Sequence, residues 1–144
     1  MKAQDLRIGN LVTDNWGSSI YEVDSINSKG ISLFVEDDGN WSELAKKWVG
    51  AEYEFEDIKG IELTEEWLIK LGLIPDRSVL FELPISIQEK CKGDMGFKKS
   101  AFFFNNREDV NMWMDCQTRV CVKYVHEVQN LVYALTGEEL DVKL

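Results

Sequence analysis

Closely spaced turn-forming tetrapeptides are the feature of this sequence that most constrains its fold. They lie at 15–18, 27–30 and 37–40, and the apolar segments between them are only a few residues long. Turns this frequent join antiparallel neighbours, so the pattern predicts a meander of short strands. The predicted strands span residues 11–13, 20–26, 31–35, 48–55 and 57–63. A small, strongly bent sheet of this kind closes into an SH3-like barrel, which we expect over residues 1–62.

A second pattern follows and indicates a mixed region of helices and strands over residues 63–144. Thr64 precedes two glutamates, an apolar segment and Gly72, which is typical of a short helix with an N-cap hydroxyl and a C-terminal glycine. After residue 124 the apolar residues recur every three or four positions, which predicts a helix over 124–136. Strand-like segments lie at residues 79–84, 97–104, 110–115, 119–124 and, as a last strand, 140–144.

The predicted fold class is therefore α+β. An N-terminal SH3-like antiparallel β-barrel (1–62) precedes an antiparallel sheet flanked by two helices (63–144), and we expect the two parts to pack as one unit. Pro84 cannot donate a hydrogen bond to a strand ladder, so the strand at 79–84 is expected at a sheet edge.

The charge of the chain is acidic and unevenly distributed. It has 16 basic and 26 acidic side chains, a net charge of −10, and 44% of its residues are hydrophobic, as expected of a folded protein. Residues 1–72 carry 7 of the basic and 15 of the acidic side chains, most densely at 36–38 and 52–57. Because nucleic-acid binding relies on Lys and Arg contacts to phosphates, direct nucleic-acid binding is not expected.

The chain shows none of the sequence signals of a membrane or secreted protein. Its first residues lack the apolar core of a signal peptide, and no apolar run approaches the about 20 residues that span a bilayer. The three cysteines, Cys91, Cys116 and Cys121, are an odd number, which disfavours a disulfide framework. We therefore expect cytoplasmic residence and no membrane partner.

Motifs for metal, nucleotide or nuclease chemistry are missing from the sequence. His126 is the only histidine, and Cys116 and Cys121 lack the Cys-x-x-Cys knuckle of a zinc site. The glycines of residues 93–96 are not followed by the Lys and Ser or Thr of a phosphate-binding loop. Glu89 and Lys90 are adjacent, so they do not form the Glu-x-Lys pattern of restriction-type nucleases. We expect no metal, no cofactor and no catalytic residue, although these patterns do not decide whether the chain is an enzyme.

Three segments carry a resemblance to a known group of proteins. They are LRIGNLV at 6–12, LTEEWL at 63–68, and YVHEVQNLVYALTGEEL at 124–140. Together they resemble small uncharacterised proteins of gut Bacteroidales bacteria and their phages. This resemblance implies a phage or mobile-element origin and cytoplasmic residence, and it transfers no catalytic residue to this chain.

A candidate partner-binding site lies on the turns of the predicted barrel. Trp16 and Trp41 lie in or beside these turns, and a run of acids at Glu36, Asp37 and Asp38 lies close to Trp41 in the sequence. Aromatic side chains on the turns of SH3-like barrels often form a groove for an extended peptide, and neighbouring acids select basic residues. In the alternative interpretation, the rings only cap the open ends of the barrel.

A candidate ligand-binding site lies on the C-terminal helix. His126, Asn130 and Tyr133, together with Gln129, occupy neighbouring positions and could bind a peptide or small ligand through hydrogen bonds. In the alternative interpretation, Gln129 and Asn130 satisfy backbone groups of adjacent strands and His126 sits at the edge of the helix.

Three functions are compatible with these patterns. The leading hypothesis is a non-enzymatic protein-interaction module whose partner is another protein. The second is an acidic mimic of nucleic acid that inhibits a host enzyme, since carboxylates could occupy a basic cleft. The third is a small-molecule-binding or hydrolytic domain built around His126 and Tyr133.

Overall fold

Two antiparallel sheets and three α-helices form the described part of a computed structural model of the chain. The structure describes residues 1–17, 19–28, 30–35, 51–76, 80–90, 101–104, 110–114 and 118–143. These elements confirm the α+β fold class.

The helices and strands have the following bounds. The strands are β1 (Leu11–Asp14), β2 (Ile20–Ile26), β3 (Ile31–Val35), β4 (Ala51–Tyr53), β5 (Ile58–Gly60), β6 (Ile74–Pro75), β7 (Leu80–Glu82), β8 (Ala101–Phe104), β9 (Val110–Met114) and β10 (Thr118–Val122). The helices are a 3₁₀ turn (Ala3–Asp5), α1 (Glu65–Lys70), α2 (Ile85–Lys90) and α3 (Val125–Thr136).

The first sheet is the predicted meander, with the strand order β4-β3-β2-β1-β5. β5 returns to the first strand, so that Asp14 of β1 lies opposite Ile58 of β5. A register shift between Val23 and Ser25 places a bulge in β2, which bends the strand. Among the described strand pairs, β4 and β5 remain the two edges of the sheet, so the expected closed SH3-like barrel is not confirmed.

The core of the first sheet follows the alternation of side chains along its strands. Tyr21 and Val23 of β2 are buried, whereas Glu22 and Asp24, which alternate with them, are partly exposed. All four residues of β1 are buried, so this strand is covered on both faces. The buried core residues are Leu6, Val12, Tyr21, Val23, Ile31, Leu33 and Ile58.

The second sheet has the order β10-β9-β8-β7-β6, and every described neighbour pair is antiparallel. It confirms strands in the four predicted segments between residues 79 and 124. The expected edge position of the strand at 79–84 is wrong, because β7 lies between β6 and β8.

The position of Pro84 explains why β7 is an internal strand of the sheet. This proline lies beyond the end of β7, where its missing N–H interrupts no strand pairing. Its carbonyl instead accepts hydrogen bonds from the backbone N–H groups of Ile87 and Gln88, at 2.9 and 3.0 Å. These bonds belong to the start of α2, a helix that the sequence pattern did not predict.

Helix α1 begins and ends where its sequence signals predict. The Thr64 hydroxyl accepts a hydrogen bond from the Trp67 backbone N–H at 3.3 Å, and Gly72 has a φ of 78°, the left-handed conformation that favours glycine. Leu68 and Leu71 are fully buried, which confirms that the apolar side of the helix faces a core.

The C-terminal segment differs from the expectation. α3 ends before Gly137, as predicted, and the Gly137 N–H donates to the Tyr133 carbonyl at 2.8 Å. No strand forms over residues 140–143, the described part of the predicted last strand. Instead Leu140 is buried, and the Lys143 N–H donates to the Lys70 carbonyl of α1 at 2.8 Å. This segment is therefore held by a buried side chain and a backbone hydrogen bond to a helix, not by pairing with a strand.

The chain forms two compact units. The first contains Met1–Ile61 and Tyr124–Asn130, and the second contains Glu62–Lys123 and Leu131–Leu144. The residues of α3 are thus divided between the units. In the described part of the chain, no helix is long and apolar enough to cross a membrane.

The N-cap of α1 provides a test of the helix assignment. Replacing Thr64 by Ala removes the hydroxyl acceptor, so we expect the free energy of unfolding to fall by about 1 kcal/mol in urea denaturation. Thr64→Ser keeps the acceptor and is the matched control, with a loss well below that of Thr64→Ala. Equal losses in the two variants would contradict the capping role.

Candidate functional site

Trp16 is displayed at the tip of the turn between β1 and β2. Its side chain is 84% exposed, although tryptophan is usually buried in large part. Gly17 follows it with a φ of 71°, and the Gly17 N–H donates to the Asp14 carbonyl at 3.0 Å, which closes the turn. We refer to residues 14–17 as the Trp16 turn.

Hydrogen bonds from outside the turn fix its backbone. The Asn15 N–H donates to the Asp57 carbonyl at 3.1 Å, and the Asn15 side-chain amide donates to the Glu56 carbonyl at 2.7 Å. The Lys59 ammonium donates to the Asn15 carbonyl at 3.0 Å. The residue next to Trp16 is therefore held at three points, so the exposed ring projects from a fixed backbone.

The segment that holds the Trp16 turn is itself a turn and is acidic. In residues 54–57, here called the acidic turn, the Asp57 N–H donates to the Glu54 carbonyl at 3.0 Å, and Asp57 Oδ2 accepts from the Glu54 N–H at 3.3 Å. Glu54, Glu56 and Asp57 are all exposed. The structure thus places this acidic segment against the Trp16 turn.

The sequence indicates the acidity of residues 52–57 but not the proximity of this segment to the Trp16 turn. This proximity depends on the antiparallel pairing of β5 with β1, and 43 residues separate these two strands in the sequence. The pattern that could have indicated it is the predicted fifth strand at 57–63, because a strand that pairs with β1 must bring its preceding turn to the end of β1.

Four of the predicted partner-binding residues lie outside the described residues: Trp41, Glu36, Asp37 and Asp38. Trp16 is the member of that set whose position the structure describes. The acidic turn is an addition to the candidate site that the structure supplies.

A buried polar pair lies at the base of the Trp16 turn. The Tyr21 hydroxyl donates to Asp14 Oδ2 at 3.3 Å, and both residues are buried. Burial raises the pKa of Tyr21 to about 12, and a hydrogen bond with Tyr53 acts in the same direction. The phenol is therefore protonated at neutral pH and serves as a hydrogen-bond donor.

The second candidate site, on α3, is occupied by structural contacts. Gln129 is 4% exposed; its Oε1 accepts from the Leu11 N–H at 2.9 Å, and its Nε2 donates to the Gly9 carbonyl at 3.1 Å. Asn130 Nδ2 donates to the Asp5 carbonyl at 3.0 Å. The alternative interpretation is confirmed to the extent that both amides bind backbone groups, here those of the N-terminal segment.

His126 is buried beside these contacts rather than open to a ligand. It is 3% exposed, and its ring stacks on Tyr124 with 5.6 Å between ring centroids and 11° between planes. Its Nδ1 has no hydrogen-bond partner among the described residues. Burial lowers the pKa of His126, while the carboxylates of Glu127 and Asp5 oppose this shift.

Gly60 of β5 makes room for the two stacked rings. A Cβ at this position would lie 2.6 Å from Tyr124 Cγ and 2.9 Å from His126 Cε1, closer than carbon atoms pack. Glycine is therefore required for the start of α3 to lie against β5.

The residues predicted to bind a ligand differ in their surroundings. His126 is 3% exposed and Asn130 is partly buried, whereas Tyr133 is 40% exposed. No group of three metal-ligating side chains occurs within the described ranges. Cys121 is exposed, and Cys91 and Cys116 lie outside those ranges.

The single histidine gives stability a specific pH dependence. Well above pH 6.5 His126 is neutral in both states, but as the pH falls towards and below that value the unfolded chain takes up a proton that the buried ring resists. We therefore expect the free energy of unfolding to fall from pH 7.5 to 5.5, by up to about 1.4 kcal/mol per pH unit, until the lowered pKa is reached.

The matched control for this pH dependence is His126→Phe, which keeps a ring against Tyr124 but cannot titrate. Urea denaturation at several pH values should give a flatter profile for this variant than for the wild type. Parallel profiles for the two proteins would show that His126 is not the group responsible.

Gln129 provides a test of the contact between α3 and the N-terminal segment. Gln129→Met keeps the side-chain length but leaves the Leu11 N–H and the Gly9 carbonyl unpaired, so we expect a loss of about 2 to 4 kcal/mol in unfolding free energy. Gln88 Nε2 donates to the Leu83 carbonyl at 2.6 Å, and Gln88→Met, the control, should cost about 1 kcal/mol. Similar losses would count against the double hydrogen bond of Gln129.

Comparison with known proteins finds no relative. No protein-family model matches the chain, and no curated protein or solved structure matches it. The functional conclusion therefore depends on the geometry and chemistry of the described residues.

Proposed function

We propose that this chain is a non-enzymatic protein-interaction module whose contact surface is centred on Trp16. The observation that carries the proposal is a tryptophan ring, 84% exposed, on a backbone held by neighbouring hydrogen bonds. Exposure of an aromatic ring to water is unfavourable, and its burial in a complex is favourable. Tryptophan is also enriched among the residues that contribute most to binding energy. A fixed backbone also reduces the entropy lost on binding.

The first unit provides the scaffold for this surface, and we propose that it is a partly open SH3-like barrel. The return of β5 to β1 and the bulge in β2 support this assignment, because both bend a five-stranded sheet towards closure. On sequence grounds the surface extends to Trp41, Glu36, Asp37 and Asp38. The resemblance to proteins of Bacteroidales and their phages supports a mobile-element origin and residence in the cytoplasm.

Affinity capture with matched variants tests this function. Tagged wild type, Trp16→Ala and Ile85→Ala are each incubated with Bacteroidales lysate, and retained proteins are identified by mass spectrometry. Ile85 is the control because its side chain is 61% exposed and belongs to the second unit. We expect the wild type and Ile85→Ala to retain the same protein. The amount retained by Trp16→Ala should be at least about tenfold lower, as for the loss of a binding hot spot.

Two controls sharpen the result. Thermal unfolding should be unchanged in Trp16→Ala, because an exposed side chain contributes little to folding stability. Repeating the capture at about 0.1 M and about 1 M salt measures the electrostatic share of binding, since the Debye length falls from about 10 Å to about 3 Å. Full retention of the partner by folded Trp16→Ala would overturn the proposal.

A further inference from the structure

Among the described residues, the segment that contacts the Trp16 turn is predominantly acidic. The Asn15 hydrogen bonds place the acidic turn directly against the Trp16 turn, with exposed carboxylates at Glu54, Glu56 and Asp57. The opposing charge is Lys59, whose ammonium binds the Asn15 carbonyl. Among the described residues 14–17 and 54–60, three exposed carboxylates outnumber the one ammonium, so the net charge of these two turns is negative.

An indole ring beside carboxylates is suited to a cation. The face of an indole carries negative electrostatic potential and attracts Arg or Lys side chains, and tryptophan is the best aromatic partner for them. Carboxylates accept hydrogen bonds from a guanidinium, often in pairs. The same charges repel phosphates, which disfavours a nucleic-acid ligand at this surface.

We propose that the partner contacts this surface through a basic segment. An Arg or Lys side chain of that segment stacks on Trp16, while Glu54 and Glu56 bind the same or a neighbouring cation. This inference rests on the proposed function and adds the chemistry of the partner. Asp57 contributes charge as well, but its Oδ2 accepts the Glu54 N–H, so it also shapes the turn.

The test uses a short peptide of alternating glycine and arginine, with a glycine–glutamate peptide of equal length as the comparison. Binding is followed through the indole N–H signal of Trp16 in a two-dimensional ¹⁵N spectrum, which is assigned by its loss in Trp16→Phe. We expect the arginine peptide to shift this signal and the glutamate peptide to leave it unchanged.

Two double variants separate the local charge from the net charge of the chain. Glu54→Gln with Glu56→Gln removes two carboxylates beside Trp16, and Glu62→Gln with Glu65→Gln removes two exposed carboxylates from the second unit. The first pair should weaken binding of the arginine peptide about fivefold, and the second less than twofold. Trp16→Ala lacks the indole signal, so its binding is followed through the backbone N–H signal of Gly17, which the arginine peptide should leave unshifted.

The outcomes distinguish the two proposals. If both double variants bind the arginine peptide as the wild type does, or if the Trp16 signal does not shift, the basic partner class is wrong. The interaction function then still stands, provided that Trp16→Ala loses the protein captured from lysate. If Trp16→Ala retains that protein, the interaction function is wrong irrespective of the peptide result.

Discussion

The antiparallel pairing of β5 with β1 is the constraint on which the first unit depends. This pairing places Ile58 opposite Asp14, and it thereby brings residues distant in sequence to the two ends of one strand. At one end, the turn before β5 supports the turn after β1 and fixes Trp16. At the other end, Gly60 leaves space for the rings of Tyr124 and His126. Both regions considered as candidate sites therefore follow from one strand pair.

At the start of α3, a polar side chain satisfies backbone hydrogen-bonding groups of the N-terminal segment. Gly9 and Leu11 are two residues apart at the beginning of β1, and the amide of Gln129 satisfies one group of each, much as a neighbouring strand would. The Leu11 N–H is buried and the Gly9 carbonyl is partly buried, so leaving them unpaired would cost more stability than their hydrogen bonds add. The first part of α3 thus takes the place of a neighbouring strand at these two groups, and Gln129 has a structural role.

The sequence predicted most of the helices and strands but not which distant segments pair with one another. The strands from Leu11 to Val35, the cap at Thr64 and the helix before Gly137 were all predictable, because turn residues, capping residues and periodicity act locally. The pairing of residues far apart was not, and neither was α2, whose start at Pro84 resembles the end of a strand. The buried position of His126 depends on the missing side chain of Gly60, which a single sequence cannot connect with it.

The hydrogen bonds that hold the Trp16 turn do not depend on which side chains the acidic turn carries. Asn15 binds the backbone carbonyls of Glu56 and Asp57, and every amino acid has such a carbonyl. The side chains at positions 54 and 56 could therefore be exchanged for neutral, polar or basic ones while the tryptophan stays where it is. Evolution, or an engineer, could in this way redirect the surface to a new target by altering two positions, with the scaffold left unchanged.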